Sequence, residues 1–95
     1  MFARVSTYKT EPDSIVAPTG DVVKRVLEIP GCLGIYYLNG RETDKALSIT
    51  LWDTEDAMAA SKESANRVRS ETSAAQHTEI LEVEEFEVTT NAMKS

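Results

Sequence analysis

The sequence predicts an α+β fold of the ferredoxin-like type, a four-stranded antiparallel sheet with both helices on one face. Three observations lead there. Apolar residues alternate with a period of two in four segments, 2–9, 32–38, 46–52 and 79–90. Two further segments, 15–29 and 53–74, carry apolar residues at helical spacing. Their order is β-α-β-β-α-β, the split βαβ pattern. A chain of 95 residues supports one core, so the expectation is a single domain over 1–90 with a frayed tail at 91–95.

In the first strand Ala3, Val5 and Thr7 alternate with Arg4, Ser6 and Tyr8. In the next segment Val22, Val23, Val26, Leu27 and Ile29 form one apolar stripe. Pro18-Thr19-Gly20 interrupts it, because proline and glycine disfavour a helix interior. A short helical turn is therefore expected first, then a main helix capped by Thr19 or Asp21. Pro30-Gly31 stops that helix, with glycine free to take the left-handed conformation. The second strand is apolar on both faces, with Leu33, Ile35 and Tyr37 against Cys32, Tyr36 and Leu38. Such a strand is buried on both sides. Asn39-Gly40 opens a polar loop running to Lys45. The third strand has Leu47, Ile49 and Leu51 on one face and Ser48, Thr50 and Trp52 on the other.

Asp53-Thr54-Glu55-Asp56 marks a helix start: a capping side chain, then acids facing the helix dipole. One helix is expected to about residue 74, with an inward stripe of Met58, Ser61, Ala65, Val68 and Thr72. That stripe is small, which lets the helix sit close to the sheet or leaves room for a ligand. The last strand slips phase: Leu81 and Val83 share one face, Phe86 and Val88 the other. A one-residue bulge near Glu84-Glu85 would bring all four to one side. The acids Glu82, Glu84, Glu85 and Glu87 then face solvent on an edge strand, where charge blocks aggregation. Helices on one face leave the other uncovered. Tyr36, Leu38 and Trp52, or the residues opposite them, would meet water as an apolar patch that monomers seldom tolerate. Packing two sheets face to face removes it, so the expected partner is a second copy of the chain, in a homodimer.

Charge and composition narrow the function. Ten basic and sixteen acidic residues give a net charge of −6, which argues against a nucleic-acid partner and against an anionic membrane surface. Apolar runs of at most four residues span no membrane, and the first residues do not read as a signal peptide. A single cysteine forms no internal disulfide and fits a reducing cytoplasm.

The run Pro30-Gly31-Cys32-Leu33-Gly34-Ile35-Tyr36-Tyr37, followed by Trp52-Asp53-Thr54-Glu55-Asp56-Ala57, resembles the antibiotic-biosynthesis-monooxygenase-like family. The hallmarks are a Pro-Gly-x-x-Gly entry to the second strand and a Trp-acid-Ser/Thr-Glu-x-Ala start to the second long helix. The resemblance covers about residues 1–90 and implies a dimeric α+β barrel. It also implies a cavity between helices and sheet where cofactor-independent members hold a reduced aromatic substrate that reacts with oxygen. Heme-degrading members use an asparagine on the first strand with a tryptophan and a histidine on the helix. This chain lacks that asparagine, has Ser61 about where the tryptophan would stand, and has Glu71 or Thr72 about where the histidine would stand. A frequent glycine before the third strand is Asp44, which tolerates a left-handed turn.

Five residues are candidates for a ligand site: Arg4, Tyr36, Tyr37, Trp52 and Ser61. Trp52 ends a strand beside a helix start, where it either meets a ligand or anchors the helix. Tyr36 and Tyr37 point to opposite sheet faces. One of them lines the cavity, where its hydroxyl either donates to a substrate oxygen or is satisfied within the packing. Arg4 suits a ligand carboxylate or phenolate, an acid on a partner subunit, or a cross-strand pair. Ser61 belongs to the small stripe. His77, the only histidine, falls in a polar linker, and Cys32 lacks a neighbouring base, so it reads as a buried thiol. No ligand spacing for a metal is present, and no cofactor is expected. Two functions follow. One is a cofactor-independent oxygenase acting on a small apolar or aromatic molecule. The other is a non-catalytic dimer, small-molecule-binding or structural, that keeps the fold without the chemistry.

Overall fold

The computed structural model describes residues 1–10, 18–75 and 78–94. In chain order these form β1 (Phe2–Lys9), α1 (Gly20–Leu27), β2 (Cys32–Asn39), β3 (Lys45–Trp52), α2 (Glu55–Ala60), α3 (Lys62–Ala75) and β4 (Glu79–Glu87). The strands make one sheet in the order β2-β3-β1-β4, antiparallel throughout. This is the ferredoxin-like α+β arrangement that the alternation of periods predicts. Among the described residues no helix is long and apolar enough to cross a membrane.

Thr19 caps α1: its Oγ1 accepts from the Val22 amide at 3.4 Å, with Asp21 in the first turn and Lys24 and Arg25 in the last. The expected turn ahead of it lies mostly outside the described residues. Gly31 takes φ +84° and ends the segment. A Cβ at Gly31 would fall on the Ala57 side chain, so the turn packs directly against α2. The Gly31 carbonyl accepts from the Asp53 amide at 2.9 Å, tying the entry of β2 to the exit of β3. Thr54 caps α2, accepting from the Ala57 amide at 3.0 Å.

Register sorts the strand residues into two faces. Arg4, Ser6 and Tyr8 stand opposite Thr50, Ser48 and Ala46, and Ile35 and Tyr37 stand opposite Thr50 and Ser48. This face meets the helices, with Val26, Met58 and Val68 buried against it. On the other face Ala3, Val5 and Thr7 stand opposite Leu51, Ile49 and Leu47, which in turn face Gly34, Tyr36 and Leu38. That second face is uncovered, and Tyr36, Leu38 and Phe86 are exposed on the protein surface.

Four expectations need correction. The expected long helix is two, Glu55–Ala60 and Lys62–Ala75, joined at Ser61. There Ser61 Oγ and Arg4 Nη2 both donate to the Met58 carbonyl, at 2.7 and 2.8 Å, drawing on the acceptor that a continuous helix would use at residue 62. The bulge in β4 lies at Leu81, opposite the Thr7–Tyr8 step, and not near Glu84-Glu85. With the bulge at Leu81, Glu85 comes opposite Arg4, where the buried guanidinium finds a carboxylate. Glu85 therefore joins an ion pair while it stays exposed on the edge strand, as do Glu82, Glu84 and Glu87. Trp52 belongs to the helix-side face and is fully buried, so it is no part of the uncovered patch. In the loop before β3 the left-handed residue is Glu42, at φ 60°, and not Asp44.

Candidate functional site

The helix-side face of the sheet and the helices α1 and α3 enclose a cavity. It holds about 510 Å³ of empty space counting its open mouth. About 50 Å³ of that is open to the centres of water-sized molecules, against about 10–15 Å³ needed to seat one water. Both sides of this gap come from the sequence pattern. The α1 stripe contributes Val22 and Val26, and the small stripe of α3 contributes Ala65, Val68 and Thr72. Short side chains at 65 and 72 leave the floor open towards β1 and β3.

Arg4 lies at the inner end and is only 3% exposed. Its Nη2 donates to the Met58 carbonyl at 2.8 Å and to Glu85 Oε2 at 3.0 Å, and its Nη1 donates to Ser61 Oγ at 3.3 Å. Its guanidinium carbon stands 5.5 Å from the Trp52 ring centroid, a cation–π contact. Trp52 Nε1 donates to Thr50 Oγ1 at 3.0 Å, so the buried indole is satisfied within its own strand. Arg4 is thus held by its own chain, with no need of an acid from a second subunit.

Two tyrosines stack along the wall. The rings of Tyr8 and Tyr37 are 6.0 Å apart at 23°, and Tyr8 Oη and Ser48 Oγ share a hydrogen bond of 3.1 Å. Burial, followed by the nearby Tyr8, pushes the Tyr37 hydroxyl up to about 12. At neutral pH it is therefore a proton-bearing donor. Arg69, from α3, closes the group. Its Nη1 donates to Asn66 Oδ1 at 2.6 Å. Burial lowers its pKa first of all; Tyr8 opposes that, Arg4 adds to it and Glu85 opposes it.

Of the five sequence candidates, Arg4, Tyr37 and Trp52 line this cavity. Ser61 is buried behind it and touches Arg4. Tyr36 is 51% exposed on the opposite face of the sheet, away from the cavity. His77 lies outside the described residues. Cys32 is half-buried rather than buried, and burial raises its thiol pKa, which opposes a nucleophilic role. No group of acids, histidines and cysteines that could hold a metal occurs among the described residues. Sequence reasoning missed Tyr8 and Arg69. Tyr8 carried a signal, since it shares the parity of Arg4 on β1. Arg69 carried none beyond its place one residue after Val68 on the inward stripe.

The cavity lining offers hydroxyl donors and two guanidinium groups but, among the described residues, no carboxylate and no imidazole. Such a set can orient a ligand oxygen and stabilise negative charge on it. It has no evident base to remove a proton from carbon.

Comparison with known proteins agrees with the architecture. No family model matches the chain. Two uncharacterised proteins of Mycobacterium tuberculosis are similar in sequence. Rv2558 is 34% identical over 73 residues, which covers 73% of this chain and 31% of that protein. Rv2557 is 30% identical over 73 residues, covering 73% of this chain and 33% of that protein. The chain thus spans about a third of the length of these curated relatives. Among solved structures, a provisionally assigned antibiotic biosynthesis monooxygenase from Deinococcus radiodurans superposes with a TM-score of 0.64 at 11% identity. That match covers 100% of this chain and 99% of the other. A second such assignment, from Chloroflexus aurantiacus, superposes with a TM-score of 0.53 at 16% identity over 98% of each chain. The chain has the α+β fold of the antibiotic biosynthesis monooxygenase-like proteins.

Proposed function

We propose that the protein works as a homodimer, its two sheets packed through their uncovered faces. Each cavity takes a small apolar, aromatic molecule and positions it for reaction with dioxygen, without a cofactor. The observation that carries this reading is the cavity itself. Its walls are largely apolar and aromatic, with a few hydroxyl and guanidinium groups from β1, β2, β3 and α3 among them, the composition of ordinary ligand sites. The solved structures of the same fold, provisionally assigned as antibiotic biosynthesis monooxygenases, support this choice of reaction class.

The chemistry asked of the chain is modest. A reduced aromatic substrate with an acidic hydrogen carries its own reducing electrons, and dioxygen is the oxidant. The protein holds the ring against Tyr8, Tyr37 and Trp52. The protonated Tyr37 hydroxyl supplies a donor for a substrate oxygen that gains negative charge. The apolar walls keep water from that charge. A second reading, binding without turnover, is favoured by one observation: among the described residues the cavity lining holds no carboxylate or imidazole base.

One experiment separates the two. Oxygen uptake is followed in air-saturated buffer containing an anthrone, with and without the protein, while sedimentation velocity reports assembly. A dimer that accelerates uptake supports the oxygenase. A dimer that binds the anthrone with uptake unchanged leaves the binding protein. A dimer that neither binds nor accelerates uptake removes the cavity from the reading, and a monomer removes the barrel.

A further inference from the structure

We propose that the cavity binds an apolar molecule carrying one anionic oxygen group, a carboxylate or a phenolate, and that Arg69 and Thr72 of α3 hold that group. This rests on reading the cavity as a ligand site. It adds the charge of the ligand and the residues that recognise it.

Charge balance is the first argument. Two guanidinium groups line the cavity, Arg4 and Arg69. Arg4 is neutralised and geometrically occupied: Glu85 stands at 3.0 Å, and Met58 and Ser61 take its other hydrogen bonds. Arg69 has a neutral partner, Asn66, and no carboxylate within ion-pair distance among the described residues. The group of Arg4, Glu85 and Arg69 therefore carries one net positive charge beside an apolar cavity. A charge partly removed from water is costly unless it is paired. A ligand of single negative charge closes the balance.

The second argument is independent of charge. Thr72 lines the same cavity, and its Oγ1 is buried with no hydrogen-bond partner among the described residues. A buried hydroxyl left unsatisfied costs about 1–3 kcal/mol. Arg69 and Thr72 are three residues apart on α3, so they project from the same helix face as neighbours. Turned into the cavity by rotation about the Cα–Cβ bond, the unused Thr72 hydroxyl stands beside the Arg69 guanidinium, and the two donors suit one oxygen-centred anion. The aromatic pair Tyr8 and Tyr37 then receives the apolar part of the molecule.

Burial lowers the Arg69 pKa, the cost of a cation partly withdrawn from water, with Tyr8 and Glu85 acting in the opposite sense. Arg4 is the arginine whose strand position is legible in the sequence, yet its bonds assign it to the scaffold. Recognition falls to the arginine one residue past the inward stripe.

The test uses the intact protein and the fluorescence of Trp52, its only tryptophan and a residue of the cavity wall. Benzoate, benzamide and 4-nitrophenol (ionised at the assay pH) are titrated in turn, with calorimetry for the coloured nitrophenolate. The expected result is that benzoate binds at least 10-fold tighter than benzamide, its neutral isostere. Arg69→Gln should bring that ratio close to 1 with benzamide affinity unchanged, and Arg69→Lys should restore part of it. Thr72→Val should weaken benzoate by about 3- to 10-fold, the loss of one hydrogen bond. The ratio of benzoate to nitrophenolate affinity tells carboxylate from phenolate as the preferred group. Equal binding of benzoate and benzamide by the unsubstituted protein would overturn the anion assignment and leave the cavity reading intact. Binding of neither would overturn both.

Discussion

Arg4 and Glu85 face each other across the β1–β4 ladder, and the Arg4 guanidinium donates to the Glu85 carboxylate at 3.0 Å. The two ends of that pair are unequal. Arg4 is buried, whereas Glu85 is 41% exposed. Solvent screens the carboxylate and glutamine keeps an acceptor, but Glu85→Gln leaves the buried Arg4 cation without its counter-charge, so it should cost about 1–2 kcal/mol. Arg4 also braces the α2–α3 junction through Met58 and Ser61. Arg4→Ala should therefore cost about 2–4 kcal/mol, from a buried side chain and several hydrogen bonds lost together. Urea unfolding monitored by Trp52 fluorescence checks the ranking. Equal costs for the two substitutions would show that the ion pair, and not the helix brace, is what Arg4 contributes.

The two sequence signatures that mark the fold meet in space at Gly31 and Ala57. Gly31→Ala should destabilise by about 2–4 kcal/mol, from a left-handed φ that alanine avoids and from overlap with the Ala57 side chain. The double variant Gly31→Ala, Ala57→Gly should recover the overlap part but not the backbone part. Chemical denaturation of all four proteins forms the cycle. Full recovery in the double variant would leave the φ angle no role.

Legibility followed locality. β1 is read from its own alternation to the residue, and Thr19, Thr54 and the Gly31 turn are read from neighbours a few positions away. What failed was set by distant partners. The helix break at Ser61 depends on Arg4, which lies 57 positions earlier. The bulge at Leu81 depends on bringing Glu85 opposite that same arginine. A phase slip in the β4 sequence announced a bulge but misplaced it: with the bulge at Leu81, Val83 stands opposite Ser6 and Phe86 opposite Ala3, so the apolar residues stay on different faces. Tyr36 and Tyr37 illustrate the same limit: alternation separates them, and only the packing of α1 and α3 decides which one meets the cavity.

Tyr37 should be the late-titrating tyrosine. Its hydroxyl is pushed up to about 12 by burial and by Tyr8, from a usual value of 10. The neutral form is favoured by the fold, so this contribution to stability is fully present below pH 10. It is lost as the pH rises from 10 to 12, where the unfolded chain releases the proton first. Absorbance titration at the tyrosinate band should show a phase near 12 that Tyr37→Phe removes. If Tyr37→Phe removes an earlier phase, the hydroxyl is not desolvated and its role as a proton-bearing donor in the cavity weakens.

The uncovered sheet face sets the last prediction. Tyr36 and Leu38 stand in register opposite Ile49 and Leu47, with Val5 and Thr7 beyond them on β1. Tyr36, Leu38 and Phe86 are exposed large apolar residues on that face. A chain that leaves such a surface to water invites association, and a second copy offers a face of matching shape and character. Leu38→Lys places an ammonium on that face, on edge strand β2, with no carboxylate in register, since its β3 partner is Leu47. Burying an unpaired charge should weaken a sheet–sheet dimer by at least about 100-fold, or roughly 3 kcal/mol. Leu27, equally exposed but on α1, is the control: Leu27→Lys should leave assembly unchanged. Sedimentation velocity at micromolar concentration should show a dimer for the unsubstituted chain and for Leu27→Lys, and a folded monomer for Leu38→Lys. A dimer that survives Leu38→Lys but is lost with Leu27→Lys would move the interface to the helices and leave the sheet face to another partner.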